Sequence, residues 1–331
     1  MNLNGRKIVV TGGAGFIGSE LCRQLAESGA NVFAVDNLAS GKRENLAGVH
    51  GVHLEVADIR DTKTLRALLR GTDIIYHLAC LGVRHSLHSP LENHDVNATA
   101  TLGLLRAAKE IGVPRFVHIS SSEVYGTARY APMDENHPTF PETVYGASKL
   151  AGECYARAYF RSYGYPTVVV RPFNAYGPRC HHEGDSGEVI PKFMLRALAG
   201  YPLVIFGDGT QTRDFTFVTD IVHGILLAGM CEAAIGRTIN LGSGREISIS
   251  ALAGAVGRVL GRTVAIEHTE PRPGDVRRLC ADAANARELL GFSPRMNLEA
   301  GLARLADWYA GQGASPKDLL VAERVKNWER A

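Results

Sequence analysis

The amino-acid sequence predicts an α/β fold with a doubly wound parallel sheet and a smaller carboxyl-terminal α/β lobe. Short apolar runs alternate with longer helical patterns through the first half of the 331 residues. Val and Ile dominate these runs and little polar alternation is visible, as expected for parallel strands that are buried on both faces. A glycine-rich turn follows the first run and leads directly into a helical pattern, as it does in such sheets.

Six strands and four helices are predicted in the first half of the chain. The strands are expected at 7–11, 31–35, 51–56, 74–78, 116–120 and 167–171. The helices are expected at 19–28, 62–69, 97–111 and 145–163. Because a helix separates successive strands, each connection has to cross the sheet, and the strands therefore lie parallel.

The regular alternation ends in the middle of the chain. Residues 172–187 contain glycines, prolines, histidines and acids, and they are predicted to form a long loop of the kind that is usually functional. Helices are expected at 189–198 and 219–230, and a further strand ends at 240–242.

Two structural units are expected. The first covers residues 1–175, and the chain returns to it around 213–243; the second covers 176–331. Since neither a linker nor a repeat separates them, we expect the two units to pack closely with a cleft between them.

Composition excludes several classes of protein. The 36 basic and 34 acidic residues are mixed along the chain and give a formal charge of +2, so there is no basic stripe for nucleic acid or a membrane surface. No apolar stretch approaches the roughly 20 residues that cross a bilayer, and the start lacks the sections of a signal peptide. The six cysteines form no C-x-x-C pair and are expected to be reduced thiols. We therefore expect a cytoplasmic protein.

The first predicted strand is followed by Thr11-Gly12-Gly13-Ala14-Gly15-Phe16-Ile17-Gly18. This Gly-x-Gly-x-x-Gly spacing occurs between a strand and a helix, where a Rossmann dinucleotide site requires it. The first glycines allow a tight turn and let backbone N–H groups reach a pyrophosphate, which the helix amino terminus favours. We expect the dinucleotide to contact a set of five residues, Gly12, Gly15, Phe16, Ile17 and Gly18.

Two carboxylates follow the next strands. Asp36 lies 18 residues past Gly18, where it can accept from both ribose hydroxyls and would repel a 2′-phosphate, so NAD is favoured over NADP. Asp58 follows the third strand. It is placed either to meet the adenine or to cap the next helix.

Tyr145 and Lys149 are predicted to form the catalytic pair, with Tyr145 as the base. Their spacing of four puts both side chains on one helical face. A phenol has a pKa near 10, and lowering it by about three units requires roughly 4 kcal/mol, which nearby cations in a cleft can supply. Lys149 can also hold the nicotinamide ribose. Such a pair alone is usually found on a protein surface. In a chain that also has a dinucleotide-binding motif, it indicates hydride-transfer chemistry.

These motifs resemble the extended short-chain dehydrogenase/reductase family, specifically its nucleotide-sugar epimerases, dehydratases and decarboxylases. The matching segments span nearly the whole chain: 11–18, 36–37, 77–79, 97, 120–126, 145–149, 171–174, 207–215 and 272–275. The resemblance implies NAD as cofactor and adds Asn37, Ile59, Ala79 and Asn97 to the expected cofactor contacts.

The resemblance also implies roles in catalysis. Ser121 matches the family's catalytic Ser or Thr, which would hydrogen-bond the sugar O4 or relay its proton to Tyr145. Ser122 would lie beside the sugar ring.

Other matching residues imply a site for the nucleoside diphosphate. Asn174 matches an asparagine that contacts the diphosphate, and Arg213 and Arg272 match two arginines that clamp it. Val189 and Phe206 lie in the stretches that resemble the site of the uracil or thymine base.

The resemblance implies that Tyr145 takes the 4-hydroxyl proton while hydride passes from C4 to NAD, which gives a 4-keto sugar. The fate of this keto intermediate depends on residues around the sugar ring. A 4-epimerase needs little beyond Ser121, Tyr145 and Lys149. The presence of Glu123 instead indicates an acid or base that acts at C5 of the sugar, as in a decarboxylase or dehydratase. Glu123 can instead be structural and hydrogen-bond its own loop. An Asp beside it, typical of 4,6-dehydratases, is missing, and the stretch 272–277 is typical of 4-epimerases.

We therefore expect a UDP-sugar 4-epimerase of the UDP-glucose or UDP-glucuronate type, with a dTDP-sugar also possible as substrate. The alternatives are a UDP-glucuronate decarboxylase, an NDP-hexose dehydratase and, from a different class, a non-catalytic NAD-sensing module. Arg84 lies in a Gly-Val-Arg stretch seen in uronic-acid epimerases. It is expected either to pair with a C6 carboxylate or to face solvent.

Two further expectations concern metals and assembly. The cluster Cys180-His181-His182-Glu183 with Asp185 lacks the spacing of paired histidine ligands, so a loop that covers the substrate is favoured over a metal site. The family resemblance implies a homodimer formed through the helices at 97–111 and 145–163.

Overall fold

Seven parallel strands form the central sheet of the protein, whose structure is a computed structural model that describes residues 3–329. The described residues contain thirteen strands in all, seven in this sheet and six in three two-stranded sheets: β1 (Lys7–Thr11), β2 (Asn31–Asp36), β3 (Val52–Val56), β4 (Ile74–His77), β5 (Arg115–Ile119), β6 (Thr167–Pro172), β7 (Ala175–Tyr176), β8 (Leu203–Phe206), β9 (Thr212–Asp214), β10 (Thr216–Phe217), β11 (Thr238–Leu241), β12 (Glu246–Ser248) and β13 (Ile266–Thr269). The α-helices are α1 (Phe16–Glu27), α2 (Thr62–Leu69), α3 (Val83–His88), α4 (Pro90–His94), α5 (Ala100–Ile111), α6 (Val144–Tyr163), α7 (Val189–Ala199), α8 (Val218–Met230), α9 (Ile249–Val259), α10 (Ala284–Leu290), α11 (Leu298–Ala310) and α12 (Pro316–Leu320).

The large sheet has the order β11-β6-β5-β4-β1-β2-β3. Every neighbouring pair is parallel, and β1 lies between β2 and β4, where the winding changes direction. This arrangement confirms the predicted doubly wound sheet, and the six predicted strands lie within one residue of the observed bounds. A crevice forms at the carboxyl ends of the strands beside such a reversal.

The strands are apolar throughout because both faces of the sheet are covered. On β1, Ile8 and Val10 face a core that includes residues of α1 and α8, whereas Val9 faces a second core formed with α2, α5 and α6. Successive side chains of a strand point to opposite faces, so two covered faces remove the polar alternation.

The second half of the chain adds one strand to the sheet and builds a lobe above it. β11 pairs with β6, and α8 packs against α1. In the lobe, β8 pairs with β13 and β9 with β12, while α7, α9 and α11 pack together. Phe193 and Leu252 of this lobe share one hydrophobic core with Ile8. No helix within residues 3–329 is long and apolar enough to cross a membrane.

Two stretches differ from the predictions. The helix expected at 97–111 becomes α-helical only at Ala100, because Asp95–Thr99 forms a π-helical turn. The expected loop at 172–187 includes the short strand β7, which pairs with β10, and a 3₁₀ turn at Gly184–Ser186.

Candidate active site

A cavity of about 480 Å³ lies between the lobe and the segments that follow β1 to β6. Its walls include all the residues that the sequence suggested as cofactor, substrate or catalytic contacts, except Asn97. The fold therefore brings together predicted site residues that lie as far apart in the chain as Gly12 and Arg272, which are 260 positions apart.

Glycine is required at two positions after β1, Gly12 in the turn and Gly18 in the first turn of α1. Gly12 has a φ of +69°, and a Cβ atom there would lie 2.8 Å from the backbone nitrogen of Ala79. A Cβ atom on Gly18 would lie 2.0 Å from the carbonyl oxygen of Gly12. α1 begins at Phe16 beside this turn, so its amino terminus and the open backbone fit the pyrophosphate of a dinucleotide.

The Asp36 carboxylate is held at the end of β2 by two backbone donors. Its Oδ2 accepts from the nitrogen of Ala14 at 3.0 Å, and its Oδ1 accepts from the nitrogen of Leu38 at 2.8 Å. Because each carboxylate oxygen has two lone pairs, both can still accept from a ligand. This arrangement fits a ribose that offers two hydroxyl groups.

Asp58 faces the cavity and does not cap a helix. Its oxygens accept from Arg60 Nε and Nη2, each at 2.9 Å, and from Asn37 Nδ2 at 3.0 Å. The hydrogen bond from Arg60 holds the pKa of Asp58 well below its usual range. The cap of α2 is Asp61, which accepts from the nitrogens of Lys63 and Thr64, so the alternative helix-cap role for Asp58 was wrong.

Lys149 is fully buried beneath the cavity. Its Nζ donates to the carbonyl oxygen of Ile119 at 2.6 Å, and burial lowers the pKa of the ammonium group. Tyr145, one turn earlier on α6, has its pKa raised by burial, and a hydrogen bond with Ser121 opposes that rise. The expectation that neighbouring cations lower the Tyr145 pKa is thus not met by the chain alone, since desolvation dominates.

Asn97 is not among the residues that line the cavity, so its expected contact with the cofactor stays a prediction. It is 1% exposed, and its amide exchanges hydrogen bonds with the backbone nitrogen and oxygen of Leu81 at 2.8 and 2.9 Å. Its Nδ2 also donates to Ser148 Oγ at 3.1 Å. Asn97 therefore shapes the segment after β4, and Leu81 in turn lines the cavity.

The carboxylate of Glu123 lines the cavity, and among residues 3–329 no hydrogen bond joins it to its own loop. The backbone nitrogen of Glu123 donates to Ser121 Oγ at 3.2 Å. Burial raises the pKa of the carboxyl, and the charges of Arg213 and Arg272 oppose the rise. These contacts do not support the structural alternative for Glu123.

Arg213 and Arg272 converge on one carboxylate. Arg213 Nη2 donates to Asp275 Oδ1 at 2.7 Å, and the guanidinium of Arg272 donates to the same oxygen. Asp275 thus keeps two cations side by side at the cavity wall. Asn174 lines the same cavity with a buried Oδ1 atom that has no hydrogen-bond partner within residues 3–329.

Arg84 is partly buried and lies at the cavity wall. Its Nε is buried without a hydrogen-bond partner in the described part of the chain, and the side chain lines the cavity. Burial lowers the pKa of its guanidinium to about 10. A guanidinium with a buried Nε atom that lacks a hydrogen-bond partner is suited to bind an anionic group of a ligand.

The loop at 180–187 is held by ion pairs. Glu183 lies 2.6 Å from Lys42 Nζ and 3.1 Å from His181 Nδ1, and Asp185 pairs with His88 and Arg324. Within residues 3–329 no group of His, Cys, Asp and Glu side chains has a geometry that could hold a metal ion.

The family follows from a comparison of the whole chain. A family profile described as GDP-mannose 4,6 dehydratase matches residues 9–305 of the 331. The chain belongs to this family. The predicted membership of the extended short-chain dehydrogenases/reductases is thereby confirmed.

Relatives of this GDP-mannose 4,6 dehydratase family member include different enzymes. A putative UDP-glucose 4-epimerase of Methanocaldococcus jannaschii is 36% identical over 305 residues, which are 91% of this chain and 97% of the relative. UDP-glucuronic acid decarboxylase 1 of Arabidopsis thaliana is 35% identical over 305 residues, 90% of this chain and 68% of the relative.

A solved structure supports the cofactor prediction. The UDP-glucuronic acid 4-epimerase from Bacillus cereus, in complex with UDP-glucuronic acid and NAD, superposes with a TM-score of 0.85 at 33% identity and covers 91% of this chain and 98% of that chain. Our family member is thus an NAD-dependent enzyme, as predicted, and the non-catalytic alternative is not supported.

Several cavity residues of this family member were missed. Cys80, Glu188 and Asn327 line the cavity. Glu188 precedes the predicted Val189 and could have been found by that proximity. Asn327 lies in no motif, and only the fold brings it to the site.

Proposed function

We propose that this enzyme is a UDP-sugar 4-epimerase that works through a transient 4-keto sugar. One observation supports this most strongly: Ser121, Tyr145 and Lys149 meet in the same cavity as the glycine turn and the arginine pair. A nucleotide-sugar that spans from Arg213 and Arg272 towards Tyr145 would present its sugar to the end of the cofactor site.

The cofactor half would hold NAD. Asp36 would accept from the adenosine ribose, with Asn37, Asp58 and Ile59 near the adenine and the residues 12–18 at the pyrophosphate. Ala79, Tyr145 and Lys149 would contact the nicotinamide end. When bound, NAD accepts a hydride from the sugar carbon and returns it.

The chain's own residues would move the proton and position the sugar. Tyr145 as phenolate would take the O4 proton while Ser121 holds that oxygen. Lys149 would hold the nicotinamide ribose, and the positive nicotinamide of bound NAD would favour the phenolate, since desolvation dominates the pKa of Tyr145 in the chain alone. Asn174, Arg213 and Arg272 would hold the diphosphate, and Val189 and Phe206 the base, while the keto sugar turns its other face to the cofactor.

Ser122 and Arg84 would contact the sugar itself. Ser122 stands where a 4,6-dehydratase pattern has an Asp, which removes the partner that Glu123 would need for loss of water. Arg84, buried without a partner for its Nε within residues 3–329, would pair with a C6 carboxylate, which favours UDP-glucuronate among the UDP-sugars.

Glu123 supports a second candidate function. Glu123 lines the cavity, and burial raises the pKa of its carboxyl, which favours the protonated acid. With a uronic acid as substrate, the same keto intermediate would lose carbon dioxide from C6, and Glu123 would donate the proton that the resulting enolate takes up at C5.

Product analysis tests the proposal. The purified enzyme is given UDP-glucose, UDP-glucuronate and dTDP-glucose in turn, and the products are identified by proton NMR. A C4 epimer of a UDP-sugar is the expected product, and Tyr145→Phe should lower kcat by at least about 100-fold without loss of NAD. A product that has lost carbon dioxide or water, or no turnover of any substrate, would contradict the proposal.

The location and assembly are part of the same proposal. We place the enzyme in the cytoplasm, in keeping with its six free cysteines. Leu102 of α5 is 37% exposed and Tyr163 of α6 is 61% exposed, so these two helices offer apolar surface for a homodimer.

A further inference from the structure

The C-terminal segment, residues 321–329, forms part of the cavity wall. Val325 and Asn327 line the cavity, and Asn327 is only 3% exposed. Trp328 packs edge-to-face on Phe206, with ring centroids 4.8 Å apart and planes at 80°. Phe206 is the side chain expected at the nucleotide base, so this segment borders that end of the cavity.

The loop at 180–187 holds the C-terminal segment in place. The nitrogen of Gly184 donates to the oxygen of Ala322 at 2.9 Å, and Asn327 Nδ2 donates to the oxygen of Gly187 at 2.9 Å. Arg324 Nη1 donates to Asp185 Oδ1 at 2.6 Å. These contacts join the loop and the segment into one wall.

Asp185 connects this wall to the cofactor half of the protein. While its Oδ1 accepts from Arg324, its Oδ2 lies 2.7 Å from His88 Nε2 at the end of α3. His88 Nδ1 lies 2.9 Å from Ser89 Oγ, which orients the ring. α3 begins with Val83 and Arg84, which line the same cavity, so the Asp185 carboxylate joins two parts of the cavity wall.

We propose that Asp185 is a positioning residue that sets the affinity for the nucleotide part of the substrate by holding the C-terminal segment against the cavity. Asp185 acts through Arg324 and the C-terminal segment, whose Trp328 packs on Phe206. Its loss therefore weakens nucleotide binding and leaves the rate of the bound complex nearly unchanged. This inference rests on the proposed function for the identity of the ligand, a uridine diphosphate.

The test uses Trp328 as a reporter and Asp185→Asn as the variant. The chain has two tryptophans, so Trp308→Phe leaves Trp328 alone. An amide is uncharged, so Asp185→Asn removes the negative charge that attracts the Arg324 guanidinium, while its geometry stays close to that of the carboxylate. We expect it to weaken UDP binding, followed by Trp328 fluorescence, and to raise KM by about tenfold, with kcat within about twofold.

Three further variants serve as controls. Arg324→Gln removes the positive partner of the Asp185–Arg324 ion pair and should weaken UDP binding to a similar extent. If Asp185→Asn fails to fold, Arg324→Gln takes its place in the test. Asp185→Glu should restore part of the affinity. Glu299→Gln removes an ion pair with Arg258 whose side chains are 64% and 65% exposed, and it should leave UDP binding unchanged.

The outcomes distinguish this inference from the proposed function. A wild-type enzyme that binds UDP while Asp185→Asn and Arg324→Gln bind it equally well would overturn the inference alone. A fall in kcat at constant KM, or an equal loss of NAD affinity, would also overturn it. A wild-type enzyme without affinity for UDP would overturn the proposed function and this inference together.

Discussion

Glu153 and Arg171 form a bidentate ion pair in the core beside the candidate active site, with Nε–Oε1 and Nη2–Oε2 distances of 2.8 and 2.7 Å. Glu153 lies one helical turn after Lys149 on α6. Arg171 Nη1 also donates to the hydroxyl of Tyr125 at 2.7 Å, and Tyr125 follows the loop that contains Ser121. The pair therefore links the helix of Tyr145 and Lys149 to the loop of Ser121.

Replacing Glu153 by Gln should strongly destabilise the protein. The two side chains are 0% and 1% exposed, so the change leaves the Arg171 charge buried without a counter-charge. We expect the free energy of unfolding to fall by about 3 kcal/mol, measured by urea denaturation. Glu299→Gln, at an exposed pair, should cost less than about 1 kcal/mol. Similar losses in the two variants would contradict this account.

Gly18→Ala should prevent binding of NAD. The added Cβ would lie 2.0 Å from the oxygen of Gly12, so the glycine turn would have to open. Gly254→Ala in α9 is a matched helical control, because its Cβ would meet only the Arg258 guanidinium at 3.6 Å. That control should stabilise the helix by roughly 0.5–1 kcal/mol. Calorimetric titration with NAD measures the first effect, and retained affinity in Gly18→Ala would disprove it.

Ser121→Ala should shift the pH dependence of catalysis. Burial raises the pKa of Tyr145, and the hydrogen bond with Ser121 counteracts this by stabilising the phenolate. Without that bond the pKa rises further, so less phenolate is present at a given pH. The acid limb of kcat/KM should move to a pH about one unit higher, whereas Ser121→Thr should keep it. An unmoved limb in Ser121→Ala would show that the hydrogen bond does not act on Tyr145.

Glu123→Gln separates the two candidate functions. A 4-epimerase uses no acid or base at C5, so kcat should fall by less than about tenfold. A decarboxylase or dehydratase that relies on this carboxyl should lose at least about 100-fold. Turnover in deuterated water provides the second measurement, since deuterium at C5 of the product would contradict simple epimerisation.

Much of the fold could be predicted because its signals are local. The six strands follow from apolar runs, and the glycine turn follows from spacing between a strand and a helix. The seventh strand, β11, lies far from the others in the sequence. Its place beside β6 depends on how the second half of the chain returns to the sheet. The π turn at Asp95–Thr99 has no local signal in the sequence.

The sequence by itself determined the family, the dinucleotide turn and the pairing of Tyr145 with Lys149, because fixed spacings within one strand, turn or helix set each of them. Only the tertiary structure decided which charges are buried and what they face. It buried the Nε atom of Arg84, joined Asn97 to the backbone of Leu81 and joined Asp185 to both His88 and Arg324. Burial and long-range pairing depend on packing between distant segments, and no local pattern of residues encodes that packing.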